Sequence, residues 1–596
     1  MNNKLEYPFD SLEILRKYKS FKRELRNKNN LVDVKIFVAS GATIDELIQI
    51  LEVFLLNIGI NPIILQGNYN LFYEDLAFQN NELKKFNPDI IYIHTSFKNL
   101  KYTPLITDSD KTIEKKLKSE VNIYHEIWTN IEANYGCTVI QNNFDLPPNR
   151  ALGNLENTLP NGLINYINKL NLQFSEYANS SKNFLINDIN YLSSWHGIEK
   201  WFSQTEWYRS KHSVSLKYLP YLCHNLGSII SSLYGKTKKA LVLDLDNTLW
   251  GGVIGDDGVS EIQIGNGSPV SEAYLDFQKY IKKLHSRGVM LSIASKNDLK
   301  NALEGLNHSE GILKEKDFVS IKANWSDKAQ NIQEISKELN VLNDALVFID
   351  DNPAEREIIK QFLPEINVLK VSNDISDYIN ILDKSGFFEI TTISKDDLNR
   401  NSSFEANKER IEFEKKAVNY EEYLISLEMK SLIRESKGEH LQRISQLINK
   451  TNQFNLTTKR HTTSEVTRFI ESEDSIVIYG NLDDKFGENG ITSVMICNIL
   501  AEEIQIYLWV MSCRIFKRGM EFAMFDRAVD IAKKMNKKFL GGIYIPSQKN
   551  NIVQNLYDSL GFKKIDTTKY LKNEIHYRIE VKNLKPLNKS IKVTYE

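Results

Sequence analysis

The chain has 596 residues, too many for one hydrophobic core, and its length suggests roughly three or four domains. Its 75 Lys and Arg balance 77 Asp and Glu, which excludes a global field recruiting nucleic acid or an anionic membrane. Cys137, Cys223, Cys497 and Cys513 lack CxxC or Cys/His ligand spacing, which argues against a disulfide framework or a zinc site and for a reducing, cytoplasmic setting. The N-terminal run MNNKLEYPFDSLEILRKYKSFKREL reads as a charged amphipathic helix without the apolar core of a signal peptide. The most apolar long stretch, Leu47 to Leu65, is broken by Gln49, Glu52, Asn57, Asn61 and Pro62 and cannot span a membrane, so the protein reads as soluble.

After this helical segment (residues 1–30), strands are predicted at Val34–Val38, Ile63–Leu65, Asp89–His94, Thr138–Gln141 and Phe184–Ile186, with a helix over Thr43–Asn57. Alternation of strand and helix predicts a parallel α/β domain over 31–192. Trp195, Trp201, Trp207 and Tyr208 read as an aromatic bridge packing this domain on the next.

The next domain is placed at 193–391. Its apolar run Ala240–Leu245 leads into DLDNTLWGG, which sets Asp244 and Asp246 at the carboxyl end of a buried parallel strand. Two further apolar runs also end in polar groups: Val289–Ala294 in Ser295, and Ala345–Ile349 in Asp350 and Asp351. Lys328 opens a predicted helix between them. In an open doubly wound sheet, ligands bind beyond the carboxyl ends of the strands, so these groups can converge on one crevice. They supply a nucleophile, a proton donor, a hydroxyl and an ammonium for phosphoryl oxygens, and carboxylates for a hard cation, which is what phosphoryl transfer needs. The glycines Gly251, Gly252, Gly255 and Gly258 crowd the segment that follows, where they permit tight turns. The intervals between the motifs are too short for a large cap domain, so the site is expected to be open.

Residues 392–430 read as a charged helical connector. From 431 to 596 the order is the helix LQRISQLINKTNQF, strand Ser475–Tyr479, the turn DKFGENG, strands Thr492–Ile499 and Glu503–Met511, helix Gly519–Met535, strand Phe539–Ile545 and helix Asn550–Leu560.

DLDNTLW, IASKND, the lysine of NWSDKAQNI and FIDDNPAER resemble the four motifs of the haloacid-dehalogenase (HAD) superfamily of phosphoryl-transfer enzymes. The longer DLDNTLWGGVIGDDG, with DKFGENG and MSCRIFKRGME, resembles the FkbH-like branch, which charges an acyl carrier protein with a glyceryl unit from 1,3-bisphosphoglycerate. The resemblance implies a multidomain α/β chain: an SGNH-hydrolase-like N-terminal domain, a capless HAD-type Rossmannoid domain and a GNAT-like acyltransferase domain. It implies Asp244 as nucleophile and Asp246 as acid and base. It gives Thr248, Ser295 and Lys328 to substrate, and Asp244, Asp350 or Asp351 and, through its backbone carbonyl, Asp246 to Mg2+. It puts a thioester-forming cysteine at Cys513, whose neighbours Arg514, Lys517 and Arg518 favour the thiolate. The implied partners are 1,3-bisphosphoglycerate and the phosphopantetheine arm of the carrier.

Two departures qualify the flanking domains. VASGAT, holding Ser40, lacks the GDS signature of an SGNH hydrolase, and Asp188 and His196 are too far apart for its Asp-x-x-His pair, so a scaffold or substrate cover is expected there. Glu521 stands where a GNAT enzyme needs a small residue against the coenzyme A pyrophosphate, so the groove is expected to take the phosphopantetheine arm instead. The alternative is a HAD-type phosphatase fused to an independent N-acyltransferase; a non-catalytic docking scaffold is the third reading.

Overall fold

In the computed structural model, which describes residues 3–27, 31–393, 398, 409–410, 413–414, 419–565 and 573–595, the apolar runs of the N-terminal third become a parallel sheet. Its strands are β1 (Val32–Ser40), β2 (Ile60–Gln66), β3 (Ile90–His94), β4 (Thr138–Asn142) and β5 (Phe184–Asn187), in the order β2-β1-β3-β4-β5. β1 is buried on both faces: Val34, Ile36 and Val38 enter one core, Phe37 and Ala39 the other. This explains its continuous apolar run, since helices cover both faces of a parallel sheet.

The first compact unit is Met1–Tyr234 with Thr462–Glu465. It absorbs the N-terminal helix Ser11–Arg26, which is capped by Asp10 and buries Ile14, Phe21 and Leu25, so residues 1–30 are not a separate element. It also takes the segment after 192. The helix Leu219–Leu233 buries Leu222, Leu226 and Ile230 in the same core as the helix Asp45–Asn57, which moves the expected boundary from 192/193 to Tyr234/Gly235. The aromatic bridge is therefore corrected: Trp201 is 1 % exposed within this unit's own core, whereas Tyr208 is 71 % exposed.

The second unit, Gly235–His461 with Val466–Glu596, holds two sheets among the described residues. In the first, β6 (Ala240–Leu243), β7 (Met290–Ser295), β8 (Phe318–Ala323), β9 (Leu346–Ile349) and β10 (Asn367–Val368) run parallel in the order β10-β9-β6-β7-β8. Central β6 sends Leu241 and Leu243 to one core and Ala240 and Val242 to the other; neighbouring β9 repeats this with Val347 and Ile349 against Leu346 and Phe348. No cap domain interrupts it, as expected; Gly251 and Gln263 exchange backbone hydrogen bonds across the hairpin, and Gly252 takes φ +91° there.

The second sheet is mixed, in the order β16-β17-β15-β14-β13-β12-β11-β18. Its strands are β11 (Lys430–Glu435), β12 (Ser475–Asp484), β13 (Gly487–Ile499), β14 (Glu503–Met511), β15 (Phe539–Tyr544), β16 (Lys563–Lys564), β17 (Ile575–Glu580) and β18 (Lys592–Tyr595). Parallel β14 and β15 pair only over Glu503–Ile506 and Phe539–Gly542 and then diverge. The expected helix Asn550–Leu560 is broken into the turn Asn551–Val553 and the short helix Leu556–Ser559. The Asn550 side chain is committed elsewhere, accepting from Ser547 N–H and donating to Asn455 O. Of the charged connector, residues 394–397, 399–408, 411–412 and 415–418 lie outside the described residues. No described helix is long and apolar enough to cross a membrane.

The two-sided burial of the phosphoryl-site sheet predicts a large cavity cost. Phe348→Ala, at a side chain with no exposure, should destabilise the second unit by about 3–5 kcal/mol, read as a lower urea midpoint for its transition.

Candidate functional site

Parallel register brings the site together. Leu243 at the end of β6 sits opposite Ile293 of β7 and Ile349 of β9, so the residues that follow these strands emerge side by side. Asp244 continues β6, its N–H donating to Ile349 O at 3.0 Å, and its side chain is buried. Lys328 enters from the N-terminus of the helix Lys328–Glu338, which Asp327 caps by accepting from Ala329 N–H. Its Nζ lies 3.1 Å from Asp244 Oδ1 and 2.6 Å from Asp350 Oδ2. Asp350 Oδ1 accepts from Asn352 N–H at 2.8 Å, the first bond of the turn into the helix Pro353–Phe362.

Asp244, Asp350 and Asp351 each present an oxygen within 4.8 Å of the others. Burial raises the pKa of all three; the Asp244 charge adds to this at Asp350, and the Asp350 charge at Asp351, while Lys328 opposes it. Lys328 is raised in turn, because the two carboxylates outweigh the burial that disfavours its ammonium. One ammonium among three crowded carboxylates leaves a surplus of negative charge. An all-oxygen, acid-rich donor set of this kind fits a hard divalent cation.

Asp246 stands apart from that cluster. Its Oδ1 accepts from Trp250 Nε1 at 2.9 Å and Ile254 N–H at 3.1 Å, and its Oδ2 from Asn297 Nδ2 at 3.0 Å. Three donors fix this half-buried carboxylate just past the strand end. Thr248, expected on substrate, is fully buried, and its Oγ1 accepts from Asp351 N–H at 3.2 Å. It holds the Asp350–Asp351 turn instead. Ser295 is buried at the end of β7 and hydrogen-bonds Asp244, helping to draw that carboxyl's pKa back down.

Sequence reading missed three contributors. Asn297 lies inside the quoted IASKND run. Asn247 takes φ +53° and accepts from Gly252 N–H, setting the hairpin. Arg356 donates to the carbonyls of Asp350 and Asp351 at 2.6 and 2.7 Å. The first could have been found from its place two residues after a strand-end hydroxyl; the other two act through backbone geometry that spacing does not reveal.

Cys513 does not join this centre. It opens a short turn capped by Ser512, and its carbonyl accepts from Asn340 Nδ2 at 3.0 Å. Asn340 lies just beyond the helix whose first residue is Lys328, so the two places are separated by that helix, roughly 18 Å at about 1.5 Å per residue. Cys513 lines a cavity of ≈ 100 Å³ at the amino-terminal edge of the phosphoryl-site sheet, where Lys239, Met290 and Ala345 also line it.

The groove expected for a phosphopantetheine arm is already filled. Where β14 and β15 diverge, Phe454–Leu456 lies between them: Met511 N–H donates to Phe454 O at 3.1 Å, Leu456 N–H to Trp509 O at 3.2 Å and Ile545 N–H to Leu456 O at 2.9 Å. The chain has paired its own segment with both strand edges, as an added strand would. In the first unit, Ser40 Oγ is engaged with backbone, donating to Ala42 O and His94 O; Asp188 caps the helix Ile189–His196, and His196 stacks on Trp201. These three do not form a hydrolase triad.

Residues 48–231 match the family described as FkbH, N-terminal domain. The N-terminal part of a Bacteroides fragilis protein containing a phosphatase domain, solved in complex with Mg, is 27 % identical over 63 % of this chain and 99 % of that one, with a TM-score of 0.59. The Escherichia coli ribosomal-protein-S18-alanine N-acetyltransferase matches 26 % of this chain and 99 % of its own at 14 % identity and a TM-score of 0.21, and a Streptococcus pneumoniae GNAT-family acetyltransferase matches 25 % and 99 % at 13 % and 0.20. Likenesses that low leave the C-terminal sheet to be read from its own topology. No curated protein matches the chain.

Lys328→Met tests the charge balance of the site. In metal-free protein the variant should lose about 3–5 kcal/mol of stability near neutral pH, because two buried carboxylates keep no counter-charge. Their raised folded-state pKa values mean that the folded state takes up protons before the unfolded chain does as pH falls, so the deficit should shrink on acidification. Urea unfolding at about pH 8 and pH 6 measures both; a deficit that does not change with pH would contradict the account.

Proposed function

Given a chain that is FkbH-like, with a phosphatase-type centre, we propose that it is a Mg2+-dependent enzyme moving a glyceryl unit from 1,3-bisphosphoglycerate to an acyl carrier protein, with loss of both phosphates. The observation that carries the phosphatase half is the meeting of Asp244, Asp350 and Asp351 around the Lys328 ammonium at the end of β6. The three carboxylates would hold Mg2+, which when bound screens the negative charge of the phosphoryl group. Asp244 attacks the ester phosphorus, the P–O bond to the glyceryl oxygen breaks, and Asp246 gives its proton to that oxygen. Water then attacks the aspartyl phosphate, Asp246 takes the water's proton and phosphate leaves. Lys328 and Ser295 hold phosphoryl oxygens, and Asn297 with the Trp250 indole orients Asp246.

The acyl half is assigned to Cys513. Its sulfur attacks the acyl carbon of the mixed anhydride, the carbon–oxygen bond to phosphate breaks, and the thiol proton ends on the departing phosphate. The glyceryl group then passes to the phosphopantetheine thiol of the carrier. We read the C-terminal sheet as GNAT-like and the first unit as an SGNH-like scaffold without a working triad. The filled groove at Phe454–Leu456 weighs against an independent coenzyme A-dependent N-acyltransferase.

Asp244→Asn should cut phosphate-ester hydrolysis by roughly three or more orders of magnitude at unchanged fold, measured as phosphate release from 3-phosphoglyceryl substrates. Near-normal release would remove Asp244 from the nucleophile's role. Cys513→Ala should retain ester hydrolysis but form no hydroxylamine-labile glyceryl adduct and load no carrier, as seen by intact-protein mass spectrometry. Loading at the wild-type rate would mean direct transfer to the carrier thiol.

A further inference from the structure

The Asp246 carboxylate is held by a chain of contacts that ends at an exposed side chain. Buried Asn297 donates from Nδ2 to Asp246 Oδ2 at 3.0 Å, and its Oδ1 accepts from Asp298 N–H at 2.9 Å. Asp298 Oδ1 in turn accepts from Trp325 Nε1 at 3.0 Å. The two loops joined in this way leave β7 and β8 side by side: Ser295 stands opposite Ala323, and Asn324 N–H donates to Ser295 O at 3.2 Å. Asn324 and Asn331 exchange side-chain hydrogen bonds at 2.9 and 3.2 Å, which anchors the second loop to the helix that carries Lys328. Two features of the Asp298–Trp325 pair call for a reason. Asp298 stands just before the helix Leu299–Leu306, where a carboxylate commonly accepts from free backbone N–H groups, but its side chain makes no cap there. Trp325 is 72 % exposed, so its ring adds little to the core. What the fold takes from each is the contact with the other: the indole N–H fixes the Asp298 carboxylate, and Asp298 fixes the turn that presents the Asn297 amide to Asp246.

We infer that Asp298 and Trp325 are positioning residues for proton donation: they hold Asn297, and through it Asp246, in the orientation that protonates the leaving alcohol. The inference rests on the reading of Asp246 as general acid and adds the class of ester that needs the brace. As Asp244 attacks phosphorus and the P–O bond to the alcohol breaks, the electron pair of that bond goes to the departing oxygen, which takes the Asp246 proton. An alkyl ester releases a strongly basic alkoxide and depends on that proton, whereas an aryl ester with an electron-poor ring releases a weakly basic phenolate and depends on it far less. The brace therefore suits the centre to alkyl phosphates, the phosphoglyceryl group among them. A proton donor works only within hydrogen-bond reach of its target, and a carboxylate whose partners are themselves held by a neighbouring loop keeps that geometry.

Leaving-group dependence tests the brace on the full-length protein with Mg2+. The quantity compared is kcat/KM, which covers the steps up to departure of the alcohol, for 3-phosphoglycerate and for p-nitrophenyl phosphate. Asp298→Ala and Trp325→Phe should each lower the value for the alkyl ester about fivefold more than the value for the aryl ester, the size expected for one lost hydrogen bond. Asp298→Asn keeps an acceptor and should return toward wild type. The urea midpoints of these variants should stay near wild type, since the Asp298 side chain does not cap the helix and the Trp325 ring does not fill the core. An equal loss on both esters, whatever the midpoint, or no loss on either, overturns the brace. Asp246→Asn separates this inference from the reading beneath it, and its loss should be about a hundredfold greater on the alkyl ester. An equal loss in Asp246→Asn removes the general acid and the brace together; a selective loss in Asp246→Asn without one in the Asp298 and Trp325 variants removes the brace alone.

Discussion

Lys328 places one positive charge between two buried carboxylates, and the phosphoryl centre depends on that contact. Without it, Asp244 and Asp350 would meet at the ends of adjacent parallel strands as buried like charges with no counter-charge between them. With it, a surplus of negative charge remains, sized for a divalent cation. The sheet makes the arrangement possible because β6 is central, buried on both faces, and its neighbours in register deliver Ser295 and Asp350 to the same edge.

The helix that carries Lys328 also ties the centre to the rest of the unit. Its N-terminus is part of the phosphoryl site, and the residue just past its C-terminus holds the carbonyl of Cys513. The two groups of chemical interest thus sit at opposite ends of one rigid element. In the scheme proposed above, the acyl group and the ester phosphate are handled at two stations, and a flexible carrier arm is the kind of partner able to connect them.

In the C-terminal sheet, the gap left where β14 and β15 diverge is closed from within the chain. Diverging parallel strands expose backbone donors and acceptors on both edges, and a ligand that pairs with them acts as an added strand. Here Phe454–Leu456 satisfies those edges from within the chain. Partly buried Glu521 lies at the start of the helix Met520–Lys534, where burial raises its pKa.

Strand identity, the carboxyl-end location of Asp244, Ser295 and Asp350, and the lack of room for a cap were all legible in the sequence, because apolar runs buried on two faces and short intervals leave few alternatives. Several things were not. The boundary at Tyr234/Gly235 depends on helix Leu219–Leu233 choosing the first unit's core, and amphipathicity does not name a partner. The Thr248 hydroxyl could have faced substrate or backbone, and only the fold of the Asp350–Asp351 turn decided it. Asn297 and Arg356 act through side-chain and carbonyl contacts that form once three strand ends are adjacent. The distance between Cys513 and Asp244 and the filling of the groove by Phe454–Leu456 are properties of packing between segments far apart in the chain. Local sequence determines which residues can do chemistry; tertiary contacts decide which of them share a site.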